Sequence, residues 1–186
     1  MFDDFVDKVL ITEKEIIDRI DEIGKDIAFQ YKDSKEILLM GLLKGSVPFI
    51  VDLMRAIENY NTVSIIIDFM LVSSYSGDKS RGDAQIELDH RIDIAGCDVI
   101  LVDDIIDTGI TIHTVKKLLL GRNPRSLRTC VLLDKPERRE VDVEIDYLGF
   151  TIPNYFVIGY GLDIDENGRY LPYVASVDVE KYARDK

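Results

Sequence analysis

Ile100-Leu101-Val102-Asp103-Asp104-Ile105-Ile106-Asp107-Thr108-Gly109-Ile110-Thr111 runs from an unbroken apolar stretch, through paired acids, into an amphipathic segment. Val99 to Val102 reads as a buried strand and Thr108 to Leu120 as a helix, so the polar residues between them form a strand-to-helix turn. In α/β folds that is where ligands gather, beyond the carboxyl ends of the strands. Asp107, Thr108, Gly109 and Thr111 are suited to wrapping a phosphate. Helix-start N–H groups point outward, glycine permits close approach, and hydroxyls donate hydrogen bonds. Asp103 and Asp104 are acceptors only, which suits two vicinal hydroxyls or metal-bound water. Asp107 or Thr108 could equally be an ordinary helix cap, but capping leaves two further acids behind an apolar strand unexplained.

The same alternation extends outward. Thr12 and Glu15 form a capping-box pattern ahead of Ile16, Ile20, Ile23 and Ile27, which marks a first amphipathic helix. Ile37 to Leu43 is continuously apolar, stops at Lys44-Gly45, and is followed by Ile50, Leu53, Met54 and Ile57 at helical spacing. Val63 to Ile67 reads as a further strand, and Ser73 to Asp83 as a long mobile loop. Leu127 to Leu133 and Tyr155 to Ile158 complete the strands. Pro136 to Asp142 and Asp163 to Leu171 are polar and irregular. Apolar strands alternating with helices predict an α/β fold, a mainly parallel twisted sheet flanked by helices. No repeat or linker divides the chain, so residues 1–186 are expected to form a single domain.

Composition narrows the partners. A net charge of −12 and the lack of any lysine- or arginine-rich run argue against nucleic acid. A phosphate ligand therefore has to be held by local amides, a few cations and metal ions. Cys97 and Cys130 read as reduced thiols, and the aspartates of the first ten residues do not suit a signal peptide. With no apolar run long enough to span a membrane, a cytoplasmic location is expected. His90 and His113 lack zinc-site spacing, there is no Walker A pattern, and Gly159-Tyr160-Gly161 lacks the third glycine of a dinucleotide fingerprint.

The acidic turn resembles the phosphoribosyl pyrophosphate motif of type I phosphoribosyltransferases: hydrophobic strand, two acids, two apolar residues, then Asp-Thr-Gly-x-Thr. From about Ile37 to Pro172 the chain is similar to the hypoxanthine-guanine branch of that family. The resemblance implies a core sheet with a small hood formed by terminal segments, and a homodimer or homotetramer. It implies a Mg2+-dependent enzyme that joins phosphoribosyl pyrophosphate to a 6-oxopurine base, hypoxanthine or guanine, to give IMP or GMP.

Four segments carry the residue roles the resemblance implies. Leu42-Leu43-Lys44-Gly45-Ser46 looks like the pyrophosphate loop, with an unusual peptide geometry at Lys44-Gly45. Ser73-Ser74-Tyr75 opens a lid, with Ser74 and Tyr75 as the matching pair. Lys135, in Leu132-Leu133-Asp134-Lys135-Pro136, would donate to the purine 6-oxo group. In Gly149 to Asp163, Phe156 would stack on the base, Val157 would offer its backbone, and Asp163 would hold magnesium. Arg169 would contact pyrophosphate, Asp103 and Asp104 would bind ribose or metal, and Asp107 would be the catalytic base at purine N7. Taken singly these residues also suit ordinary turns, a solvated strand end and a core strand. Two positions depart from the family pattern: Ile110 stands where relatives carry a polar or basic residue, leaving only its amide for phosphate, and Asp103 stands where Glu is common. Some relatives with the same loop are regulators that sense the ligand and bind nucleic acid. The acidic charge and the retained Lys135, Phe156, Asp163 and Asp107 count against that alternative.

Overall fold

The structure, a computed structural model, describes residues 6–60, 63–74 and 84–184. After strand β1 (Val6–Ile11), Thr12 caps helix α1 (Glu13–Gln30) with both arms of the capping box: Glu15 N–H donates to Thr12 Oγ1 at 3.3 Å, and Thr12 N–H to Glu15 Oε2 at 2.8 Å. Ile16, Ile20, Ile23 and Ile27 are all buried on the inner face, as their spacing predicts. Strand β2 (Glu36–Leu43) leads through a short loop into helix α2 (Val47–Glu58). The two helices pack so closely that a Cβ on Gly24 would lie 2.7 Å from that of Ala56.

Strands β3 (Ser64–Ser74), β4 (Ala84–Leu88), β5 (Asp98–Ile106), β6 (Ser126–Asp134) and β7 (Tyr147–Thr151), with helix α3 (Ile110–Leu120) between β5 and β6, complete the core. The sheet order is β4-β3-β2-β5-β6-β7, parallel throughout except for the antiparallel edge strand β4. Ile16, Ile20, Phe49 and Leu53 fill one face, and Ile112, Val115 and Leu119 the other. A second, antiparallel sheet of order β1-β9-β8 joins the amino terminus to β8 (Val157–Ile158) and β9 (Val174–Val177). This is the hood of terminal segments. Val157, Tyr160, Leu162 and Val174 belong to the same buried cluster as α1 and α2, so hood and core share apolar packing. Helix α4 (Val179–Arg184) follows. No helix among the described residues is long and apolar enough to cross a membrane.

Several boundaries differ from the sequence reading, each for a local reason. Strand β3 runs on past Ile67 because the Asp68 carboxylate is satisfied in mid-strand, accepting from Arg91 N–H at 2.8 Å and Ile92 N–H at 3.0 Å. Helix α3 starts at Ile110 rather than Thr108, since Gly109 is left-handed (φ +85°) and the Thr108 carbonyl is taken by the amides of Glu140 and Val141. Strand β7 carries no alternating pattern and was not foreseen; its Gly149 is required because a Cβ there would meet Leu132 O at 2.3 Å. Tyr155 to Ile158 is strand only at Val157–Ile158, and that pair belongs to the hood. Tyr75 and most of the expected lid lie outside the described residues, and Ser74 is described only as the end of β3.

Candidate active site

Parallel strands put their carboxyl ends on one edge, so the ends of β2, β5 and β6 meet there with the turn after β8. The Leu43–Lys44 peptide is cis, so the special bond lies one residue before the Lys44-Gly45 bond that the sequence resemblance pointed to. A Cβ on Gly45 would sit 1.7 Å from Asp104 Oδ2, and one on Gly161 would sit 1.9 Å from Gly45 O. Gly161 is also left-handed, at φ +100°. Only glycine fits at Gly161, and a side chain at Gly45 would push the Asp104 carboxylate aside, so the acidic turn, the β2 loop and the hood turn close on one another through these two positions. Tyr160 fixes the hood turn from behind, its hydroxyl donating to Asp52 Oδ2 of α2 at 2.6 Å.

Asp103 is buried and Asp104 half-buried at the end of β5. Burial pushes the Asp103 carboxyl well above the usual carboxylate range, and the neighbouring Asp104 charge adds to the rise; burial also raises Asp104. Two adjacent desolvated acids are costly unless a ligand supplies donors or positive charge.

Beyond them lies the turn that the resemblance assigns to phosphate. Gly109, not Asp107 or Thr108, occupies the cap position of α3, and no side chain caps that end. The first intrahelical bond is His113 N–H to Gly109 O at 2.9 Å, so the amides of Gly109, Ile110, Thr111 and Ile112 lie ahead of it. Ile110 N–H reaches only Thr108 Oγ1, at 3.4 Å. A left-handed glycine leading into an uncapped helix start presents free amides of the kind that suit an anion. The lack of a polar side chain at Ile110 leaves these amides in place.

Asp107 is directed to the other side of the turn. Lys135 Nζ lies 3.4 Å from Asp107 Oδ1 and Arg138 Nη1 3.2 Å from Oδ2. Asp107 Oδ1 is buried and makes no hydrogen bond, so the ion pair leaves it a lone pair to offer. Lys135 is only 5% exposed. A solvated strand end does not bury its ammonium; a donor aimed into a pocket does. Asp104, Ile105, Asp107, Lys135, Arg138, Asn154, Tyr155, Phe156, Val157, Leu162 and Asp163 line a single cavity of about 420 Å³. Phe156 is 47% exposed, which overturns its reading as part of a core strand and leaves its ring available to a flat ligand.

Asp163 and Arg169 flank the cavity. Arg169 Nη2 pairs with Asp163 Oδ1 at 2.7 Å, while Nη1 donates to Gly161 O at 2.7 Å. The sequence-predicted residues Lys44, Gly45, Asp103, Asp104, Asp107, Thr108, Gly109, Ile110, Thr111, Lys135, Phe156, Val157, Asp163 and Arg169 therefore gather at one edge of the fold. Arg138, Asn154, Tyr155 and Leu162 escaped sequence reasoning. Arg138 sits in a three-residue 3-10 turn after Lys135, within a stretch that read only as irregular.

Asp103, Asp104 and Asp163 do not form a ready-made metal cage: among the described residues no group of three or more His, Cys, Asp or Glu side chains is placed to hold an ion. That still fits magnesium, which keeps several waters and binds through one or two carboxylates plus substrate phosphates. His90 and His113 join no such group. Cys97 and Cys130 are free thiols, and burial pushes Cys130 far up its titration scale.

A phosphoribosyl transferase domain model matches residues 10–165. The chain belongs to the phosphoribosyltransferase family. Within that family it is similar to the hypoxanthine-guanine phosphoribosyltransferase of Dictyostelium discoideum, at 46% identity over 95% of this chain and 98% of the relative. It is similar also to the hypoxanthine phosphoribosyltransferase of Escherichia coli K12, at 47% identity over 91% and 94%. A phosphoribosyltransferase structure from Trypanosoma cruzi, a variant hypoxanthine enzyme complexed with the product IMP, superposes with a TM-score of 0.91 at 40% identity, covering 98% of this chain and 96% of that one. Family, branch and fold thus agree with the sequence resemblance.

Proposed function

We propose that this chain is a purine-salvage transferase that converts hypoxanthine or guanine, with phosphoribosyl pyrophosphate, to IMP or GMP and pyrophosphate. The observation that carries this reading is the buried Lys135–Asp107 pair, set between a phosphate cradle and an aromatic-rimmed cavity. An ammonium donor at the cavity wall favours a 6-oxo acceptor over a 6-amino group, because the amino group sets a second donor against it and offers no acceptor.

In the reaction a purine ring nitrogen attacks carbon 1 of the ribose, the bond to pyrophosphate breaks, and the configuration inverts. The uncapped amides from Gly109 to Ile112 hold the 5′-phosphate, and Thr108 and Thr111 add hydroxyl donors. Asp103 and Asp104 accept from the ribose hydroxyls, which relieves their desolvation. Phe156 stacks on the base, the Val157 backbone meets its edge, and Lys135 donates to its 6-oxo oxygen. Asp107, through its free lone pair, takes the proton on purine N7. Lys44, Gly45 and Arg169 receive the leaving pyrophosphate. Asp163 or the Asp103-Asp104 pair would hold a magnesium ion, which when bound would supply charge neutralisation for the departing pyrophosphate. Ser74 and Tyr75 belong, in this reading, to a lid that keeps water from the reacting carbon. The family resemblance further supports a homodimer or homotetramer acting in the cytoplasm.

The test is to incubate the chain with labelled hypoxanthine, phosphoribosyl pyrophosphate and magnesium, and to resolve the products. IMP and pyrophosphate in equal amounts are expected; ligand binding without nucleotide formation would identify a sensor instead.

A further inference from the structure

The cations assigned to pyrophosphate are already occupied in the free chain. Lys44 Nζ lies 3.1 Å from Glu166 Oε1, and Arg169 Nη2, which pairs with Asp163 Oδ1 at 2.7 Å, lies also 3.4 Å from Oε2 of the Glu166 carboxylate. One side chain thus bridges a cation of the β2 loop and a cation of the hood. Its position is built in: Glu166 is left-handed, at φ +65°, and its N–H donates to Asp163 Oδ2 at 2.8 Å. Arg169 Nε is buried without a hydrogen-bond partner, so the guanidinium keeps one donor that the carboxylate does not satisfy.

Carboxylate and phosphate offer the same kind of anionic oxygen to ammonium and guanidinium donors, so they compete for them. We propose that Glu166 is an internal competitor of pyrophosphate: its carboxylate holds Lys44 and Arg169 in the free chain, is displaced when the substrate's diphosphate arrives, and returns as product pyrophosphate leaves. The proposal rests on reading Lys44 and Arg169 as the pyrophosphate cations. Its consequence is that Glu166 lowers the affinity for diphosphate and favours release, a step that limits turnover in many transferases. The Lys44 and Glu166 side chains are 58% and 64% exposed, so the pair is weak enough to exchange. An exposed pair of this kind corresponds to roughly a two- to five-fold change in affinity.

The experiment is calorimetric titration of the full chain with inorganic pyrophosphate in magnesium buffer, comparing the parent with Glu166→Gln and Glu137→Gln. Glu137 is an exposed acid beside Arg138 and controls for the loss of one negative charge near the cavity. Glu166→Gln is expected to bind pyrophosphate roughly two- to five-fold more tightly than the parent, with Glu137→Gln unchanged. Equal or weaker binding by Glu166→Gln, or the same gain in Glu137→Gln, overturns the proposal while leaving the functional reading intact. A parent chain that binds no pyrophosphate and forms no nucleotide removes both.

Discussion

Among single residues, Asp107 is the one to which the proposed function gives the proton transfer. It ends the acidic turn, faces two cations, and keeps a buried oxygen without a hydrogen bond. Asp107→Asn retains the shape but cannot take a proton, so kcat should fall by about 10²–10⁴-fold while nucleotide affinity changes far less. Steady-state kinetics beside IMP binding checks this, and equal losses in both would remove Asp107 from the proton-accepting role. Asp103 gives the converse case. Burial disfavours its charged form, so the free chain is destabilised at neutral pH by an acid that the proposed function assigns to the ribose. Asp103→Asn should therefore raise stability by about 1 kcal/mol in urea unfolding at pH 7 while weakening substrate binding. The sequence displayed both acids, but not the difference between them: Asp103 is buried beside Val131 of β6, whereas Asp107 borders a cavity, and burial depends on elements far apart in the chain.

At the scale of elements, two loops and a turn are held together by glycines. Gly161→Ala places a methyl against the carbonyl of Gly45 at a left-handed position, so the hood turn has to withdraw from the β2 loop. KM for phosphoribosyl pyrophosphate is expected to rise about tenfold or more, since a small displacement of positioning groups costs that much or more. Unchanged KM in this variant would mean the loop contact is dispensable. These elements were unequally legible in the sequence. The helices α1 and α2 and the strands β2, β5 and β6 could be read from runs and spacing alone, because each buries a face set by its own period. Strand β7 could not, since it is a short edge strand shaped by a close approach at Gly149. The same holds for Arg138, whose role depends on a three-residue turn bringing it back over Asp107. Phe156 was recoverable only by resemblance, because an apolar residue beside Val157 and Ile158 reads as core until the hood is seen to leave its ring exposed.

The whole molecule is one sheet with a hood, joined by a common apolar cluster that includes Ile20, Leu53, Tyr160 and Val174. Shared packing leads us to expect residues 1–186 to unfold as a single cooperative unit, with tyrosine fluorescence and far-ultraviolet circular dichroism giving coincident transitions. The opposite edge of the sheet is tied by buried Asp98, which accepts from Ser34, Ser126 and Arg125. The Arg125 guanidinium, helped by the two serine hydroxyls, lowers its carboxyl from 3.8 to about 2. A depressed folded value means that the stabilisation is fully present above the ordinary value of 3.8 and is lost as pH falls towards about 2. The urea midpoint of Asp98→Asn should therefore fall below the parent's at neutral pH and converge on it across that acid range.

In the proposed function this edge of the fold selects a 6-oxopurine for transfer. That selection is tested most directly by measuring kcat/KM for nucleotide formation from phosphoribosyl pyrophosphate with hypoxanthine, guanine, adenine and uracil, in the parent and in Lys135→Met. Turnover with hypoxanthine or guanine is expected, with little from adenine or uracil and a large loss of oxopurine turnover in the variant. Preference for adenine or uracil, or selectivity unaffected by Lys135→Met, would contradict it.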